Sequence, residues 1–446
     1  MKKIMTFLLG ALLVASCFPR DMQVPQSPLL STLERKSGLI SYIGVDGNMY
    51  VSDQGGGNLK QLTEDALIPE NQGDPILYYQ YPTWSRDGSQ LAFMGVSADG
   101  EQAKSKLMVA NMDDDSVNEV YTSESEHPIY MNWSPDNANL SFISTTVSGQ
   151  NMILQSVPSA GGERTILDTG SPYYWSWAPD GSAMIVHAGG AAASSPEHLA
   201  FLNLDLGTTT VTESGLDSAS FRPGSRQAFQ APAWSPDGSR IAMARLTEDK
   251  NEIIITDAAG ENAQTIGTFT EKTGFAWSRD GTRFAYIDGE QALDAGTIGP
   301  LHILDMETSE EIIEEGNIVA FFWSPSGKEI AYFILLQAQA EGNSSGESGG
   351  STQATPQYVL NLQVLDVTIG ESRELFTYRP TQQFLSILPY FDQYHQSVTI
   401  WSPDNNNLVL SFLGQSGSPG VAVVAASGNL EPRLLAEGYL AFWSWE

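Results

Sequence analysis

One short motif recurs along this 446-residue chain and constrains its fold more than any other feature. It reads Trp84-Ser85-Arg86-Asp87-Gly88, Trp133-Ser134-Pro135-Asp136-Asn137, Trp177-Ala178-Pro179-Asp180-Gly181 and Trp234-Ser235-Pro236-Asp237-Gly238. It returns as Trp277-Ser278-Arg279-Asp280-Gly281, Trp323-Ser324-Pro325-Ser326-Gly327 and Trp401-Ser402-Pro403-Asp404-Asn405, with a shortened copy at Phe442-Trp443-Ser444-Trp445. Pro sets φ, Asp caps the turn through its side chain, and Gly or Asn accepts a positive φ, so each copy predicts a tight turn. An alternating apolar run follows each turn, as at residues 90–94 and 240–243, which makes the turn a hairpin. A third strand (106–111, 252–257, 301–305) and a fourth complete a four-stranded unit. The Asp of each turn recurs with the repeat and is therefore read as structural.

Trp-to-Trp spacings are 49, 44, 57, 43, 46, 78 and 42 residues, and four-stranded units of this size are propeller blades. The long interval holds a Gly/Ser-rich insertion at residues 337–357. The expected fold is all-β: a single closed β-propeller over residues 38–446, of eight blades, with seven the alternative. Residues 39–43 occupy a second-strand position and 48–53 a third, while the last copy stops just after its Trp. The two ends are therefore expected to share one blade and leave no open sheet edge. These repeats resemble those of the TolB-like propeller family, also found in the propellers of prolyl oligopeptidases. The resemblance covers residues 38–446 and implies a fold, not a function. The α/β domain of TolB and the hydrolase domain of prolyl oligopeptidases are expected to be absent.

The beginning of the chain reads as an address. Lys2 and Lys3 precede an apolar run over residues 4–14, shorter than the roughly 20 residues that cross about 30 Å of hydrocarbon. The run ends in Val14-Ala15-Ser16-Cys17, which resembles a bacterial lipobox and implies lipidation of Cys17 after removal of residues 1–16. Cys17 is the only cysteine, so no intrachain disulfide can form. An ordinary secretory signal with an incidental cysteine is the alternative. Residues 17–37, with Pro19, Pro25 and Pro28, read as a flexible tether. Together these features predict an extracytoplasmic lipoprotein of the outer membrane or cell surface, touching membrane only through its anchor. With 22 basic and 53 acidic residues, a net charge of −31 repels phosphate backbones, so nucleic acid is excluded as a partner and a monomer is expected.

Loop lengths divide the two faces. The motif turns and the links between strands three and four are short (112–116, 258–261, 427–429). The links of opposite parity are long: 64–81, 96–104, 188–197, 213–231, 288–299, 337–357 and 376–398. Function is expected on the elaborated face. Its candidate ligand-binding residues are Tyr79, Tyr81, Tyr130 and Tyr174, with Phe384, Tyr390, Phe391, Tyr394 and His395 in the last long link. Tyr81, Tyr130 and Tyr174 share a register three residues before the Trp. Flat rings with a polar tip suit a glycan or a protein segment; the competing reading is that they wedge between blades as core.

Catalytic patterns are sparse. Two G-x-S-x-G strings, at 342–346 and 346–350, lie in the Gly/Ser insertion without the strand and helix that a nucleophile elbow needs. The five histidines show no metal spacing, although His127 and His395, near Glu126 and Asp392, could meet on the elaborated face. Asp113-Asp114-Asp115 is a solvated turn. No phosphate loop or dinucleotide fingerprint occurs, and no cofactor or metal is expected. The expectation is a non-catalytic envelope protein that binds a protein or a cell-wall or polysaccharide segment. A propeller lyase or hydrolase acting on polysaccharide is the alternative.

Overall fold

The computed structural model describes residues 35–446 except 72, 101, 147–148, 150, 190–197, 206–209, 216–229, 248, 293–295 and 337–357. The expected signal peptide, Cys17, the expected tether up to residue 34 and the Gly/Ser insertion lie outside the described residues.

The motif turns form for the reasons their residues supply. In the turn at Ser235, the Gly238 amide donates to the Ser235 carbonyl at 2.9 Å and Gly238 takes φ +71°. The Ser235 hydroxyl donates to Asp237 at 2.6 Å, and the Arg240 amide donates back to that hydroxyl at 2.9 Å. Asp237 also accepts the Ser239 amide, and these bonds hold its carboxyl down at about 2. The same pattern recurs at Ser85, Ser134, Ser278 and Ser402, with Asn137 and Asn405 taking the positive φ in place of Gly.

Each turn launches an antiparallel meander. Four-stranded sheets run over Ile76–Ser123, Glu126–Gly170, Tyr173–Gly215 and Ala233–Phe269. A ten-stranded sheet then continues from Lys272 to Ala436. It is fused because two long strands serve twice. Glu311–Trp323 pairs first with Gly296–Asp305 and then with Glu329–Leu336. Glu371–Pro380 pairs with Val359–Asp366 and then, through Arg379 and Pro380, with Asn407–Leu413. The remaining four-stranded sheet joins both ends of the described chain: Gly438–Trp443 pairs with Ile40–Gly44, matching Ile40 with Trp443 and Tyr42 with Ala441.

The motif tryptophans pin neighbouring units together. The indole N–H of Trp133 donates to the Thr83 carbonyl at 2.9 Å, and that of Trp277 to Ala233 at 3.1 Å. Trp323 donates to Ala276 at 3.2 Å and Trp401 to Phe322 at 2.9 Å. In all four cases the acceptor is the residue just before the tryptophan of the preceding unit. The rings themselves are buried, Trp401 completely. Such a site needs an aromatic of this volume with a donor at its far end, which only Trp supplies.

Trp84 is equally buried, but its indole N–H has no partner. Trp401→Phe should therefore cost at least about 1 kcal/mol more than Trp84→Phe, since only the former orphans a carbonyl. Urea unfolding of the two variants reads the difference; equal costs would show that burial alone, not the inter-unit bond, sets the requirement for Trp.

Candidate functional site

The link at residues 381–398 does not stand above the molecule; it enters it. Thr381 caps α1 (Gln382–Ile387) by accepting the Phe384 amide, while its own hydroxyl donates to the Tyr439 carbonyl at 2.6 Å. A single 3-10 turn (Leu388–Tyr390) leads into α2 (Phe391–Tyr394). This segment pairs with the innermost strands of several units, whose free edges would otherwise leave main-chain groups unmet. Gln393 accepts the Trp175 amide at 3.1 Å and donates to the Trp175 carbonyl at 2.9 Å. Tyr130 donates to the Gln393 carbonyl at 2.7 Å, Asp392 accepts the Ala231 amide at 3.3 Å, and His395 Nε2 accepts the Trp323 amide at 3.2 Å.

The predicted aromatics are therefore redistributed. Phe384, Phe391 and Tyr394 are buried, against Phe333, Phe321 and Tyr130 with ring centroids at 5.4, 4.9 and 5.0 Å. Tyr130 is buried beneath them, and Tyr79 is buried beside Phe93 with its hydroxyl on Asp65. Tyr81 is half-buried, turned towards Tyr394 by a bulge in which it takes φ +53°, an unusual angle for a bulky residue. Tyr174 and His395 are half-buried, and only Tyr390, 41% exposed, looks outward. The expected aromatic recognition surface is, for most of its members, a plug and its seat.

The sequence carries a signal for the plug in its repeat register. The register occupied by Tyr81, Tyr130 and Tyr174 holds Ala231, Gly274 and Ala320 in the next three units. Three large residues are followed by three small ones, which leave room beside their strands. Gly274 shows how tightly it is filled: a Cβ there would lie 2.6 Å from the Phe391 ring.

Between the plug and the motif turns lies a cavity of about 390 Å³. Asp392, His395 and Gln396 line it from the plug; Arg86, Arg279 and Trp445 line it from the turn side. This is the face opposite to the long loops, where loop length predicts function. Arg86 and Arg279 stand where five of the seven full motif copies carry Pro. The Arg279 guanidinium lies 4.2 Å from the centre of the Trp445 ring and that of Arg86 lies 5.9 Å from it. Arg86 is exposed by surface area yet surrounded by protein mass, because the surface it exposes faces the cavity. Burial and the neighbouring Arg86 charge lower Arg279 to about 10. Burial and both guanidiniums push His395 down to about 3, so its ring is neutral and accepts the Trp323 N–H. Asp392 is driven the other way, up to about 7, by burial.

His127 does not meet His395; its Nδ1 bonds the Ser105 hydroxyl at 2.7 Å. Asp115 pairs with Lys60. Among the described residues no group of three or more His, Cys, Asp or Glu is placed to hold a metal ion, and no helix is long and apolar enough to cross a membrane.

No family model and no curated protein matches the chain. Solved structures do. A prolyl endopeptidase is 12% identical with a TM-score of 0.52, covering 80% of this chain and 49% of its own, so this chain spans about half the length of that relative. The β-propeller domain of the Trilobed protease from Pyrococcus furiosus is 12% identical, TM-score 0.46, covering 81% and 96%. TolB from Acinetobacter baumannii is 11% identical, TM-score 0.35, covering 82% and 81%. At these identities the likeness shows the fold, a β-propeller, and nothing of the chemistry.

Asp392 makes the plug pH-sensitive. Its ordinary value is 3.8 and its folded value about 7, so the native state holds the proton more tightly in that window. Stability contributed by this group is complete below about pH 4 and is lost as pH rises to about 7, at no more than about 1.4 kcal/mol per pH unit. Denaturation of Asp392→Asn and the parent across pH 4–8 should show the parent losing ground as pH rises; a constant difference would refute the buried-acid assignment.

Proposed function

We propose that this chain is a lipid-anchored, extracytoplasmic, non-catalytic binding protein whose closed eight-bladed propeller takes its ligand into the central cavity from the motif-turn side. Eight motif tryptophans support the blade count, and the pairing of Ile40–Gly44 with Gly438–Trp443 supports closure. The lipobox-like Val14-Ala15-Ser16-Cys17 supports the anchor.

The observation that carries the binding site is the cavity itself. The plug of residues 381–398 leaves about 210 Å³ beside α1 on the long-loop side, while the motif turns leave about 390 Å³, within the usual range for ligand sites. Binding without chemistry is favoured because the acid and base facing the cavity are engaged elsewhere. Asp392 accepts the Ala231 and Gln393 amides, and His395 Nε2 accepts that of Trp323. The ligand is a narrow group or chain end of an envelope protein or cell-wall polysaccharide.

A photoreactive residue in place of Pro179, exposed at the turn-side rim, should crosslink to ligand in native envelopes, whereas one in place of Tyr390 should not. Crosslinks from position 390 alone would return the site to the long-loop face. Cys17→Ser should release the protein from the membrane fraction; retention there would refute the lipid anchor.

A further inference from the structure

We infer that Arg86 and Arg279 form a cradle for a carboxylate, and that the ligand of the central cavity carries one such group on an apolar body. This rests on the reading that ligand enters the cavity.

The chain has 53 acidic residues for 22 basic ones, so a guanidinium without a partner is an exception to explain. Most of the other arginines among the described residues are engaged. Arg164 pairs with Glu126, Arg245 with Glu252, Arg283 with Asp305 and Arg373 with Glu329. Arg240 and Arg379 donate to the Gly281 and Gly414 carbonyls. Among the described residues, the guanidiniums of Arg86 and Arg279 alone share one cavity, and neither makes a hydrogen bond or ion pair there. Each lies against the face of Trp445, with Glu446 also acting on Arg279, and its N–H donors are left open to the cavity.

Holding two like charges together in a partly enclosed space is unfavourable: Arg279 is lowered first by burial and then by the Arg86 charge, with Glu446 offsetting part of this. The turn does not demand them, because Pro serves at the same position in the other copies. An anion between them would satisfy the planar donor forks and cancel the repulsion. The surrounding charge of −31 favours a singly charged group over a phosphate dianion. The walls supply the apolar half of the match, with Trp133, Trp177, Trp234 and Pro236 lining the same cavity.

The test uses the intact chain with 4-phenylbutyrate, its uncharged amide and inorganic sulfate as probes, read by thermal shift and tryptophan fluorescence. The acid should raise Tm in a saturable manner and bind at least tenfold more tightly than the amide. Arg86→Gln and Arg279→Gln should each weaken it roughly tenfold to a hundredfold. Without probe, both variants should melt at or above the parent temperature, as expected for charges held unpaired for binding. Equal binding of acid and amide, indifferent to either substitution, would overturn the cradle while leaving the cavity reading intact. Sulfate matching the acid would overturn the carboxylate with an apolar body. Silence from all three would also overturn the cradle; the crosslinking at Pro179, which does not depend on charge, would then show separately whether the cavity reading stands.

Discussion

The structure depends on a bond one indole long. A tryptophan opens each motif copy, and in four units its N–H reaches the carbonyl just before the tryptophan of the previous unit. The ring fills the space between sheets, and the N–H meets a carbonyl that burial would otherwise leave costly. Between these units the spacing is thus set by the length of one side chain. Variation in the loops does not disturb it, and the interval between Trp323 and Trp401 absorbs 78 residues while the indole of Trp401 still reaches Phe322.

Sheets arranged around an axis leave their innermost strands with free edges. Here a single inserted segment satisfies several of them at once. Gln393 binds both main-chain groups of Trp175, Asp392 takes the Ala231 amide and His395 that of Trp323. The side chains are chosen for reach and polarity, and the Phe391 ring beside them fills the room left by Gly274. The segment is polar where it meets backbone and apolar where it meets rings, so burying it costs little.

The plug also divides the free space of the molecule. A pocket of about 210 Å³ remains beside α1, and a cavity of about 390 Å³ opens among the motif turns, the part most constrained by the repeat. Two of those turns carry Arg in place of Pro, a change the turn tolerates because φ near −65° is open to any residue. Function can therefore be written into the repeat without disturbing it. The strained Tyr81, the buried acid Asp392 and the neutral His395 all belong to the plug and its seat, which is where this fold concentrates its unusual chemistry.

Much of this was legible in the chain. Turn chemistry, strand alternation and the four-stranded unit follow from local rules: Pro, Asp and Gly act within five residues of one another. The pairing of the first and last strands followed from counting which strands each end lacked. The candidate site was legible only in part. The sequence put Tyr81 and Tyr130 in one aromatic register and Phe391, Tyr394 and His395 in the last long link, but sequence spacing cannot say whether an aromatic cluster in a long link faces water or folds inward. That depends on the space across the axis, which residues from units far apart in sequence create jointly. The Arg86–Arg279 pair was invisible for the same reason. Nearly 200 positions separate the two residues, and each alone is an ordinary turn substitution. The sequence by itself determined the repeating unit, because its causes are local; only the tertiary structure decided which side was filled and which charges met, because those depend on distances across the ring.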